Sequence, residues 1–162
     1  MRETELKKHR CCFTGHRPEK LNIPEKRLAG LLEAEIKRAI DNGHTTFITG
    51  MAKGVDLVAA EIVLCLRERD PRLKLICALP YPGFGQHWGD RWTKRFRQVL
   101  AGADLERTIC PCFSYGAYQA RNEWMVRRSA LVIAVFHGEP GGTKNTLDFA
   151  NRNGVPYVVI DG

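Results

Sequence analysis

Short apolar runs rich in β-branched residues alternate with longer amphipathic stretches from one end of this chain to the other. Runs at Arg10–Thr14, Thr45–Thr49, Leu73–Leu79, Leu105–Cys110, Leu131–Phe136 and Tyr157–Ile160 have the length and composition of strands. Between them lie helical patterns. The first opens near Pro24, whose fixed φ suits a first turn, carries Leu28, Leu31, Leu32, Ile36, Ala39 and Ile40 on one stripe, and stops at Asn42-Gly43. Others run from Val55 to Arg67, His87 to Leu100, Tyr118 to Arg128 and Thr143 to Asn153, the last closed by Gly154 before Pro156. Alternation this strict requires right-handed crossovers, hence a sheet covered by helices on both faces. The expected fold is α/β, a single Rossmann-like three-layer sandwich around a mainly parallel sheet of about six strands. At 162 residues the chain reads as one domain, long enough to build a core without a disulfide or a metal.

Composition narrows the function classes. Apolar residues make up 44% and charged residues 27% of the chain, which argues against a disordered, collagenous or coiled-coil protein. The longest apolar run, Ala130 to Phe136, falls far short of the roughly 20 residues of a membrane-spanning helix. Met1 to Arg10 is charged and lacks the apolar stretch of a secretory leader, so the protein is expected in the cytoplasm. The six cysteines lack the two-residue spacing of a zinc knuckle or thioredoxin-type pair. Cys11, Cys12, Cys65 and Cys77 fall in core-type patterns, Cys110-Pro111-Cys112 is a local pair, and no metal and no disulfide are expected. The balance of 25 Lys+Arg against 18 Asp+Glu gives +7. That favours an anionic partner, either a nucleic-acid backbone or a phosphorylated small molecule. A homo-oligomer is compatible with all of this.

In doubly wound sheets ligands sit beyond the carboxyl ends of the strands, so the loops that follow strands hold the candidates. After the first strand comes Thr14-Gly15-His16-Arg17-Pro18-Glu19-Lys20-Leu21, longer than the roughly 2–6 residues usual for such a connection. Gly15 lets the chain turn, and His16 and Arg17 bring donors and charge. After the second strand, Thr49-Gly50-Met51-Ala52-Lys53-Gly54-Val55-Asp56 places two glycines and a helix N-terminus where backbone amides can approach a phosphate. It is neither a Walker motif nor the GxGxxG fingerprint. Asp56 also has a purely structural use, because a carboxylate in a first helical turn gains about 0.3–1 kcal/mol from the helix dipole. After the fifth strand, the segment Phe136 to Thr146 contains Gly138, Gly141, Gly142, Thr143 and Thr146. Gly-Gly-Thr at a strand-to-helix junction offers open amides and a hydroxyl to a phosphate, or simply a turn and a cap. Tyr81, Gln86 and Trp88 in an aromatic, glycine-bearing loop would wall a base or sugar, and Ser114, Arg121 and Asn122 follow the fourth strand.

The ordered segments FTGHRPEKL, GMAKGVDLVAAE, the Gln86/Trp88 loop, RNEWMV and GGTKNTLDFA resemble the YpsA-like family of bacterial and phage proteins within the SLOG superfamily, over about Arg10 to Ile160. SLOG relatives include the DNA-processing protein DprA, LOG-type cytokinin phosphoribohydrolases and sensor domains for nucleotide-derived signals. The resemblance implies a Rossmann-like domain that binds a nucleotide-type ligand. LOG-type hydrolases carry Pro-Gly-Gly-x-Gly-Thr followed by a glutamate that participates in N-glycosidic cleavage. This chain reads Pro140-Gly141-Gly142-Thr143-Lys144-Asn145-Thr146-Leu147-Asp148, without the third glycine or the glutamate.

The leading expectation is a binder of a nucleotide-derived small molecule, acting as sensor or sequestering protein and requiring no cofactor. Amides of Gly50–Gly54 and Gly141–Thr143 would hold phosphates, Arg17, Lys53 and Arg121 would add charge, and Trp88 or Tyr81 would stack on the base. The alternative is a hydrolase of the N-glycosidic or phosphoester bond of such a ligand, with Asp56, Glu123 or Asp148 as candidate carboxylates. A third reading, single-stranded nucleic-acid binding, rests on the net charge and on Arg91, Lys94, Arg95 and Arg97 beside Trp88 and Trp92. The same residues also read as a basic amphipathic helix with Trp92, Phe96 and Leu100 inward.

Overall fold

The computed structural model describes residues 2–162. In chain order it contains α1 (Glu3–Lys7), β1 (Arg10–Gly15), a 3-10 turn (Pro18–Lys20), α2 (Glu25–Asp41), β2 (Thr46–Thr49), α3 (Val55–Arg67), β3 (Lys74–Leu79), α4 (Asp90–Gly102), β4 (Leu105–Thr108), α5 (Gly116–Arg127), β5 (Leu131–Val135), α6 (Gly142–Arg152) and β6 (Tyr157–Ile160). The six strands form one sheet in the order β4-β3-β2-β1-β5-β6. Each pairing is parallel, so the α/β sandwich has a wholly parallel sheet.

Side chains alternate across this sheet with the period of two that a strand imposes. In register, Phe13 lies beside Ile133, and Cys12 lies beside Val132 on one side and Ile48 on the other. Cys11, Phe13, Phe47, Leu75 and Ile133 therefore share one face, packed under α2, α3 and α4 through Leu32, Ile36, Val58, Val63 and Phe96. Cys12, Ile48, Ala78, Val132 and Ala134 share the other, packed under α5 and α6 through Met125, Val126, Leu147 and Ala150. Burial on both faces explains why the central strands read as unbroken apolar runs. The edge strand β4 differs: its four residues are all exposed. Its Glu106 and Arg107 guard a free edge against further strand pairing.

Two helix stops follow directly from glycine. Gly43 (φ 97) and Gly154 (φ 69) adopt left-handed backbone after α2 and α6. The amides of Gly43 and His44 return to Ile40 and Ala39, and those of Gly154 and Val155 to Asn151 and Ala150, the paired bonds of a Schellman stop. The start of α4 departs from the expected His87. Gly89 takes φ 82 before the helix, and the Trp88 amide donates to Thr93 Oγ1 at 3.1 Å, so His87 and Trp88 belong to the preceding loop. The fourth strand stops at Thr108 rather than Cys110, and α1 was not foreseen, because a polar segment with no buried residue carries no periodic apolar signal.

The chain builds outward from β1 through β2 and β3 to β4, then returns through α5 to lay β5 against the other side of β1. The strand order reverses between β1 and β5, and the loops leaving these neighbours part to opposite faces. A crevice opens there.

Candidate ligand-binding cleft

A cleft of about 630 Å³ occupies this reversal, lined by residues of the loops after β1, β2, β3, β4 and β5. From β1 come Thr14, Gly15, His16 and Arg17, joined by Lys20 of the 3-10 turn. Gly15 is required where it stands, since a Cβ would lie 2.5 Å from Val55 Cγ2 at the start of α3. His16 is 8% exposed, and its ring centroid lies 4.1 Å from that of His137 in the β5–α6 loop. The His137 amide donates to His16 Nε2 at 3.4 Å, and His137 Nε2 donates to the Lys20 carbonyl at 2.9 Å. Burial, then the neighbouring His137, hold the His16 imidazole below its ordinary range. It is a neutral acceptor tying the two loops together, rather than the charged group expected at the mouth.

The loop after β2 turns inward on itself. Met51 adopts φ 63, its amide donates to Thr49 Oγ1 at 3.2 Å, and the Ala52 amide donates to Asp56 Oδ2 at 3.3 Å. These two amides are therefore committed within the protein. Gly54 (φ 94) precedes α3, and a Cβ there would approach His16 O to 3.1 Å, which packs this loop against the first. Lys53 and Asp56 line the cleft, while Gly50 lies just behind it. A Cβ on Gly50 would meet Asp56 Oδ2 at 2.8 Å and the Arg121 guanidinium at 3.0 Å.

Asp56 and Arg121, both lining the cleft, form its buried polar floor. Arg121 donates through Nη1 to the Gly50 carbonyl and through Nε to Asn122 Oδ1 at 2.8 Å, with its guanidinium 5.7 Å from the Phe84 ring. Asp56 is 6% exposed, and its Oδ1 is buried with no hydrogen-bond partner among the described residues. Burial pushes the Asp56 carboxyl up to about 6, against the opposing pull of Arg121 and of the Ala52 amide. A buried polar atom left unpaired costs about 1–3 kcal/mol, and this one belongs to a residue that lines the cleft, with acceptor capacity left unused.

The remaining walls come from β5–α6 and from aromatic residues. Gly141 (φ 146), Gly142 and Thr143 form the junction and first turn of α6, with Pro140 beside them. Thr146 lies inside α6, its hydroxyl donating back to the Gly142 carbonyl at 2.7 Å, and Gly138 is exposed. Phe84, Trp88, Tyr115 and Tyr118 complete the lining.

Of the candidate residues, Thr14, Gly15, His16, Arg17, Lys53, Asp56, Trp88, Arg121, Asn122, Gly141, Gly142 and Thr143 meet in this one space. Others stand elsewhere. Tyr81 lies behind Tyr118, their hydroxyls 3.1 Å apart. Gln86 accepts from Arg97 Nε at 3.1 Å on the outer side of α4. Ser114 is exposed outside the cleft wall. Glu123 accepts from Gln119 and pairs with Arg127, and Asp148 pairs with Lys144 on the surface of α6, so neither of these carboxylates reaches the cleft. Lys20, Phe84, Tyr115 and Tyr118 were not foreseen; each lies in or beside a loop whose composition had already stood out.

Comparison with known proteins agrees with this architecture. The YpsA family model, described as the YspA SLOG family, matches residues 11–155. The SPbeta prophage-derived protein YoqJ of Bacillus subtilis is 30% identical over 147 residues, which are 83% of this chain and 84% of that protein. A UPF0398 protein of Levilactobacillus brevis is 27% identical over 154 residues, 91% of this chain and 79% of its own. DNA processing protein A of Helicobacter pylori superposes with a TM-score of 0.65 at 18% identity, over 99% of this chain and 68% of that one. The Streptococcus pneumoniae counterpart gives 0.68 at 20% identity, over 97% of this chain and 52% of that one. The two structures share the fold. Among the described residues no helix is long and apolar enough to cross a membrane. The family match spans both halves of the sheet and every loop of the cleft, and the chain belongs to the YpsA SLOG family.

Proposed function

We propose that the cleft binds a nucleotide-type small molecule and that the protein senses or sequesters it. The observation that carries this reading is one enclosure at the strand reversal that joins a helix N-terminus, basic side chains, an aromatic wall and the unpaired Asp56 oxygen. The amides at Gly142 and Thr143 and the partial positive charge of α6 favour a phosphate at that end, with Arg17, Lys20 and Lys53 beside it. Asp56 repels an anion and accepts from a hydroxyl or amine, so it orients the ligand with its neutral, donor-bearing part inward. A cleft of about 630 Å³ is of the usual size for a small-molecule site.

Cleavage stands second. The raised Asp56 carboxyl suits proton transfer, but N-glycosidic chemistry uses two carboxyl groups and Glu123 and Asp148 face elsewhere. Release of base or ribose on incubation with nucleotides would promote this reading. The Helicobacter pylori neighbour has a described single-stranded DNA binding mode, and this chain carries +7. On α4, however, Arg91 and Arg95 pair with Glu25, Arg95 also pairs with Glu61, and Arg97 donates to Gln86. Those arginines are engaged as a helix surface.

Calorimetric titration with nucleoside mono- and diphosphates and ADP-ribose, alongside single-stranded oligonucleotides, tests the reading. Arg17 is exposed at the mouth, and Arg17→Ala is expected to weaken nucleotide binding about ten- to hundredfold with unchanged thermal stability, through loss of a charge-assisted contact. Unchanged affinity removes the β1 loop from the site. Binding of oligonucleotides alone, with a steep salt slope, replaces the small-molecule reading with a strand-binding one.

A further inference from the structure

Two aromatic rings stand in water on the β4–α5 loop: Phe113 is 53% exposed and Tyr115 is 87% exposed. Large aromatic side chains are normally well buried, because each carries a large apolar area. Tyr115 nevertheless borders the cleft, at the residue preceding α5. Its ring meets Phe113 edge to face, with centroids 5.4 Å apart and planes at 71°. Phe113 in turn packs edge to face on Tyr81 at 5.2 Å, and Tyr81 on Phe84 at 5.6 Å. The exposed ring therefore ends a braced aromatic chain that reaches into the core.

We propose that Tyr115 is the stacking platform for the nucleobase, closing the outer end of the cleft over a ligand whose phosphate lies at the first turn of α6. This rests on the nucleotide reading above and adds the base subsite to it. Three observations favour Tyr115 over the other rings. Tyr81 and Tyr118 meet each other, and each meets Phe84 and Phe113, edge to face, which leaves both as supports. Trp88 is wedged nearly perpendicular to Phe84 and Phe96, at 90° and 89°. Tyr115 is 87% exposed and contacts only Phe113 among the rings, so a planar ligand has room to approach it. A nucleobase is the occupant that fits, because the same cleft offers cations and a helix N-terminus for a phosphate and the Asp56 carboxyl as an acceptor for a hydroxyl.

The test compares AMP with ribose 5-phosphate, which keeps the sugar and the single phosphate but has no base, by calorimetry on wild type, Tyr115→Ala and Tyr115→Phe. The expected result is a ten- to hundredfold weaker AMP affinity in Tyr115→Ala, full retention in Tyr115→Phe, and no change for ribose 5-phosphate in either. The side chain is exposed, so thermal melting of all three proteins should coincide. Unchanged AMP affinity in Tyr115→Ala overturns the stacking role, as does an equal loss for both ligands, which marks a shape effect. Equal wild-type affinity for the two ligands overturns the base subsite while leaving the phosphate reading intact. Binding of neither ligand, with affinity that grows with oligonucleotide length, overturns both.

Discussion

At the residue scale the cleft is governed by one buried carboxyl. In the unfolded chain Asp56 titrates near its ordinary 3.8, and in the fold burial pushes it up to about 6. The folded state thus holds the proton more tightly than the unfolded state. For an acid shifted this way, the favourable contribution is complete at pH values below about 4 and is lost as pH rises to about 6, a loss of order 3 kcal/mol. Asp56→Asn removes the ionisation while keeping the size of the side chain. Urea unfolding between pH 4 and 7 should find the variant more stable than wild type at pH 7, with the gap closing towards pH 4. A gap that does not change with pH would show that the carboxyl is charged throughout and that Arg121 neutralises it fully. Such a loss of stability at neutral pH would accord with the binding role proposed for Asp56.

At the scale of elements, the glycines of the β5–α6 junction separate folding from binding. Gly141 holds φ 146 and needs to be glycine on conformational grounds, whereas a Cβ on Gly142, the first residue of α6, would meet nothing within 4 Å. Gly142→Ala is expected to leave the melting temperature equal or slightly raised, since alanine is favoured over glycine in a helix by about 0.5–1 kcal/mol. Under the proposed phosphate site at this turn, an added methyl group crowds the ligand, so nucleotide affinity should fall. Gly141→Ala should instead lower stability through backbone strain. Reversal of the two stability effects would displace the junction from its assigned geometry. Much of this was legible in the sequence, because strand and helix alternate with clear periods and Asn42-Gly43 and Gly154 mark stops that only left-handed backbone makes. Side-chain direction was not. Asp56, Glu123 and Asp148 all sit on helices near the right loops, but rotation about each helix axis is set by packing, and it turns Glu123 towards Arg127 and Asp148 towards Lys144. Gln86 follows the same rule: within one loop Trp88 turns into the cleft while the Gln86 side chain turns towards Arg97 on α4.

The whole molecule is two core layers on a shared sheet, and its cysteines happen to sample both. Cys11 and Cys77 lie in the layer under α2, α3 and α4, and Cys12 lies in the layer under α5 and α6. All three are buried, while Cys65 and Cys112 are exposed and Cys110 is half-buried. Burial pushes the Cys12 and Cys77 thiols up to about 12 and raises Cys11 as well, so in the folded state they are both shielded and protonated. A thiol reagent, which is attacked by the thiolate, should therefore modify Cys65 and Cys112 at once and Cys110 more slowly. The other three should react only when the sheet opens, and complete reaction in denaturant should count six free thiols. Because β1 carries Cys11 into one layer and Cys12 into the other, a single cooperative core predicts the same opening free energy at both, equal to that of global unfolding. Mass spectrometry of labelling under native conditions reads each site separately. Equal rates for Cys11, Cys12 and Cys77 would show that the layers unfold as one unit. Labelling of Cys12 well ahead of Cys11 would mean that α5 and α6 detach first, and since Arg121 and Gly142 ride on those helices, the cleft would then open without unfolding the rest of the protein.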